Sequence, residues 1–134
     1  MQKWPTEADL RKYLKRWQRM LRLQHWRIKI SYGRTREMIA DDGHSGSISW
    51  GRCTMNDNHL RARVMVLHPD DYDDDDGREE IEQTVVHELL HIQMIGMRDA
   101  IKGPDPAGDV VEEQVINVNA DLLVGLYRQL HGEE

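Results

Sequence analysis

His87-Glu88-Leu89-Leu90-His91 sets two imidazoles four residues apart around a carboxylate. On an α-helix, residues four apart share a face, one turn apart, so both rings can reach one metal ion. Zinc suits the pair, because it accepts imidazole nitrogens at about 2.0–2.1 Å in a tetrahedral arrangement. Glu88 is turned about 100° from His87 around the helix, off the ligand face. From there it can take a proton from a metal-polarised water. In average composition this pattern arises by chance on the order of once in a few hundred chains of this length. Its surroundings are apolar: Ile81, Val85, Val86, Leu89, Leu90, Ile92, Met94 and Ile95 make a helix with little polar face. Three polar groups inside such a helix are costly without a partner, and a metal accounts for all three together.

A third ligand must come from downstream. No histidine lies between His91 and His131, which leaves the carboxylates of Glu112 and Glu113. Asp109-Val110-Val111-Glu112 has the form of a helix N-cap with Glu at the third helical position. That reading gives Glu112 a structural task and leaves Glu113 free. Glu113, Asn117 and Asp121 form a polar stripe flanked by Ile116, Ala120, Leu123 and Val124. The expectation is therefore one zinc ion per chain on His87, His91 and Glu113. Asn117, one turn beyond Glu113, supports the ligand set by hydrogen bonding, and Glu88 is the catalytic base.

His87-Glu88-Leu89-Leu90-His91, a gap of about twenty residues and then Glu113-x-x-x-Asn117 resembles the gluzincin clan of zinc metallopeptidases, whose motif is HExxH plus ExxxD. Ala120 falls where that clan has a small residue, and Asn117 departs from the usual Asp. The likeness is to the single-domain, minimal gluzincins and covers about residues 46–130. Trp50-Gly51-Arg52-Cys53, with Leu67-His68-Pro69 ahead of the metal helix, is also similar to SprT-like zinc proteases. Those take a His as third ligand, for which His131 alone is available downstream. The resemblance implies a zincin-like fold, zinc-dependent peptide-bond hydrolysis, and a rim strand at Gly46–Arg52 that takes an extended peptide or protein substrate by strand addition. Two alternatives stand beside it: a non-catalytic zinc-binding scaffold or interaction protein, and an SprT-like protease acting on nucleic-acid-bound proteins.

The elements that must position these residues follow from periodicity. Leu10, Tyr13, Leu14, Trp17, Met20 and Leu21 predict an N-terminal helix reaching about Leu23. Trp26 to Ile30, Ser47 to Met55 and Leu60 to Leu67 predict strands, the last two joined by a turn at Asn56-Asp57-Asn58. Glu79 to about Met97 predicts the metal-binding helix, and Val110 to about Leu130 a final one. The class is α+β: a short mixed or antiparallel three-stranded sheet, an N-terminal helix, the HExxH helix and a C-terminal helix. All fit one domain over 1–134.

With 134 residues, 39% hydrophobic and 31% charged, the chain can bury one core. Residues 1–36 carry eleven Lys and Arg against two Asp and Glu, while the remainder is acidic. The basic segment either lies on the acidic remainder or offers a weak nucleic-acid contact. Cys53 is the single cysteine and reads as a small core residue. No apolar run is long enough to span a bilayer, and a cytoplasmic setting is the expectation. Six Asp among residues 70–76 put Asp71, Asp73, Asp75 and Glu82 at four positions of a calcium-loop template. Gly77 sits one place late for it, so a solvated lead-in to the helix is the better reading.

Overall fold

The computed structural model describes residues 4–40, 50–56, 58–72, 80–95 and 107–132. Helix α1 (Glu7–Met20) starts at Thr6, whose hydroxyl accepts from the Asp9 amide while the Asp9 carboxylate accepts from the Thr6 amide. This reciprocal cap satisfies two of the amides that a helix start leaves open. The helix ends two residues before Arg22, which adopts a left-handed φ of 61°, so it stops short of the expected Leu23.

Three strands follow: β1 (Arg27–Gly33), β2 (Gly51–Asn56) and β3 (Arg61–Leu67). They form one mixed sheet in the order β1-β3-β2. β3 is central, parallel to β1 and antiparallel to β2. The short helix α2 (Thr35–Ala40) lies between β1 and β2 in the chain and was not legible as a helix. The expected rim strand at Gly46–Arg52 overlaps β2 only at Gly51 and Arg52; residues 41–49 lie outside those described.

Alternation in β3 divides the core. Ala62, Val64 and Val66 join Leu10, Trp17, Val85, Leu89 and Ile116 in the main cluster. Met65 and Leu67 face the other way and meet Met38 of α2 and Tyr72. The inner face of the sheet therefore packs against α1 and α3 (Ile81–Gln93), and α4 (Ala107–Leu130) packs on α3. The sequence suggests burial of α3 on nearly every side, and Ile81, Val85, Val86, Leu89 and Ile92 are indeed at most 1% exposed. Helix α4 begins earlier than expected, which puts Asp109 inside the helix and not at its cap.

One buried carboxylate ties the three large helices together. Glu82 accepts from Arg16 Nη1 at 2.8 Å and from Trp17 Nε1 at 2.7 Å, both on α1. Arg128 of α4 stands 3.7 Å from its other oxygen. Part of the basic N-terminal segment is thus neutralised within the fold. The calcium template loses two members: Glu82 is engaged here, and Asp71 is held by the Arg34 guanidinium and the Thr35 amide. Asp73 and Asp75 lie outside the described residues. Removing one partner of a buried ion pair strands the other charge. Glu82→Ala is expected to cost about 3 kcal/mol in urea unfolding, at the low end for buried pairs because Arg16 keeps some solvent contact. A loss below about 0.5 kcal/mol, the scale of an exposed pair, would show that the cluster does not hold the helices.

Candidate metal centre

The two histidines leave the same face of α3, as their spacing requires. His87 Nε2 and His91 Nε2 stand 3.2 Å apart. Glu113, on α4, closes the triangle: its carboxylate lies 3.3 Å from His87 Nε2 and 2.8 Å from His91 Nε2. The three ligand atoms all fall within 4.8 Å of one another. A tetrahedral zinc with bonds of about 2.0–2.1 Å separates its ligand atoms by about 3.3 Å. The separation of the two histidine nitrogens, 3.2 Å, and that of His87 Nε2 from Glu113 Oε2, 3.3 Å, are close to that length. The contact between His91 Nε2 and Glu113 Oε1 is shorter, at 2.8 Å.

Glu112 does not serve as the helix cap that the sequence suggests. It is buried, and its Oε1 lies 3.2 Å from His91 Nδ1. A carboxylate there fixes the tautomer with hydrogen on Nδ1, which frees Nε2 to donate its lone pair to a metal. The signal was present in the spacing: Glu112, Ile116, Ala120 and Val124 recur every four residues and are all buried. That register puts Glu112 on the face of α4 packed against α3. Glu113, about 100° round the helix, is left at the cleft. Asn117 lies one turn further on, with its side chain in hydrogen-bonding reach of His87, whose protonated form it favours. His131 is far from the centre: eighteen helical residues beyond Glu113 amount to about 27 Å, and it stacks on Tyr127 instead.

Glu88 is 6% exposed, with Oε2 3.7 Å from His87 Nε2. Burial, and then the negative charge of Glu113, push its carboxyl up to about 8. Burial holds His87 below the ordinary imidazole value, against the opposing pull of Glu113. A neutral imidazole is the form that binds metal. A carboxyl poised near neutrality is suited to accept and return a proton.

Strand β2 walls the site. A Cβ on Gly51 would stand 2.6 Å from Thr84 Cγ2 and 3.0 Å from Glu88 Oε2, so only glycine lets the strand lie this close to α3. Trp50, 46% exposed and stacked on the buried Tyr72, forms one lip of the resulting cleft. The cleft has a volume of about 460 Å³, and Gln83, Thr84 and Asn117 join the histidines and glutamates in lining it. Trp50 figured in the sequence only within a family-like stretch, and Gln83 not at all. Nothing in a lone strand signal shows which residues will face a helix.

Comparison of the chain with protein-family models, with curated proteins and with solved structures finds no match.

The buried carboxyl makes the stability of the metal-free protein depend on pH. Folded chains keep the Glu88 proton up to about pH 8, whereas the unfolded chain releases it near 4.5. Between those values the folded state binds more protons, so stability falls as pH rises. His87 acts in the opposite sense, and its effect fades above 6.5. With chelator present, the urea midpoint should therefore decline for the wild type between about pH 7 and 9 and decline less for Glu88→Gln. Parallel profiles would mean that Glu88 is solvated in the folded chain.

Proposed function

We propose that this chain is a zinc-dependent peptidase, in which His87, His91 and Glu113 hold one zinc ion and Glu88 is the general base. One observation carries the reading: two imidazole nitrogens and a carboxylate converge at the floor of a cleft, with a buried glutamate beside them. Zinc in that position would polarise a substrate carbonyl and acidify a water. Glu88 takes the proton of the attacking water and hands it to the leaving amine, a double role that its raised affinity for protons supports. Glu112 keeps His91 oriented throughout.

A peptide is the substrate that the surroundings favour. β2 is an edge strand, hydrogen-bonded to β3 alone among the described strands, and its first residues border the cleft at Gly51. An extended peptide laid along such an edge gains backbone hydrogen bonds while its carbonyls pass the metal ligands. A purely structural zinc site has no use for Glu88, whose burial is costly.

Zinc titration and cleavage of a fluorogenic peptide library separate the roles. Glu113→Ala should lower zinc affinity by orders of magnitude, and Glu112→Ala by about 10–100-fold, the usual loss when a ligand's hydrogen-bonded support is removed. Glu88→Gln should keep zinc and lose about 10²–10⁴-fold in hydrolysis. Zinc retained by the His87→Ala/His91→Ala double variant would sink the metal assignment. Equal cleavage by Glu88→Gln and wild type would remove Glu88 as the base. Bound zinc without any cleavage would leave a structural metal protein.

A further inference from the structure

The outer face of the sheet, away from the metal centre, carries a second feature. α2 covers only one end of it, through Met38 on Met65 and Leu67. The other end is open and forms a shallow groove of about 730 Å³. Four cations line it: Arg27 and Lys29 on β1, Arg61 and Arg63 on β3, all exposed. Strand register puts Arg27 beside Arg61 and Lys29 beside Arg63. Neighbouring strands are about 4.8 Å apart, and residues two apart on a strand about 6.6 Å. Like charges side by side on a sheet repel. None of the four forms an ion pair with an acid among the described residues, although the chain as a whole is acidic, with a net charge of −6.

We infer that this groove docks nucleic acid through its phosphates, without reading sequence. The face offers four closely spaced positive charges with no counter-charge among the described residues, which is the complement of a chain of repeating phosphates. Three of the four are Arg, whose planar fork matches two phosphate oxygens at once. Thr54 and Asn56 of β2 stand beside Arg63 and Arg61 in register and add neutral hydrogen-bonding groups of the kind that contact phosphate and sugar. Among the described residues no aromatic side chain lines the groove, so contacts to the nucleic-acid backbone, not base stacking, carry the binding. Ile28 and Met55, which also border the groove, pack against the main core, so among the described residues they are not free to act as an apolar wedge into a lipid surface. The site is separate from the basic α1, which packs on the opposite face of the sheet, and it is independent of the metal reading.

The test uses a short fluorescein-labelled DNA duplex and fluorescence anisotropy across a salt series. Wild-type protein should bind, with affinity falling steeply and log-linearly as salt rises, and with little difference between duplex sequences. Arg61→Glu/Arg63→Glu should weaken binding at least about tenfold and reduce the salt slope by about 2. Far-UV circular dichroism and the urea midpoint of that variant should match wild type, which shows that the fold is intact. Arg11→Glu/Lys15→Glu, on the exposed side of α1, should bind DNA nearly as wild type does. Absence of salt-dependent binding would overturn the proposal. So would a loss in the α1 variant that the sheet variant does not share, or equal binding to anionic phospholipid vesicles through the same arginines.

Discussion

Everything near the centre depends on one constraint: α3 must be buried on almost every side and still present polar groups to solvent. Val85, Val86, Leu89 and Ile92 leave it no free apolar face. Water cannot satisfy Glu82 or Glu88 there, so neighbouring elements must. Glu82 is met by Arg16 and Trp17, His91 by Glu112, and Glu88 by closeness to the histidines and the cleft. The other helices are placed by those demands as much as by apolar packing. α1 brings the counter-charge, α4 brings the carboxylates, and β2 closes the wall where a glycine permits it.

Carboxylates in this small region have diverged by environment alone. Glu82 is fully paired and acts as a tie between helices. Glu112 is buried against an imidazole and orients it. Glu113 is half in solvent at the cleft, against both histidines. Glu88 is buried beside the negative Glu113, so its carboxyl is pushed up to about 8. Four chemically identical groups thus take four roles through the dielectric and the partner each one meets.

Periodicity made α1, α3, α4 and the three strands legible to within a few residues, because each buries a regular face. HExxH was legible because both histidines and the glutamate sit on one element. What could not be read came from between elements. Helix α2 is six residues long and is held by Asp71 from thirty-six positions away. The exchange of tasks between Glu112 and its presumed cap depended on which side of α4 faces α3. The four-residue repeat of Glu112 with Ile116, Ala120 and Val124 carried that information, but a local capping pattern competed with it. The parallel pairing of β1 with β3 is likewise a long-range choice with no local signature.

The proposed ligands, drawn from two helices, also impose an order on assembly during synthesis. His87 and His91 emerge with α3, but both carboxylates arrive only with α4. Until then the nascent chain offers two imidazoles, one of them unoriented, and a bare pair is a poor zinc trap. Docking of α4 then delivers the third ligand and the orienting partner in the same event. Because those two residues are adjacent in the chain, neither can reach the centre without the other. On the zinc reading proposed above, cation capture therefore waits until α4 has docked, and the ion would act as a latch on that helix.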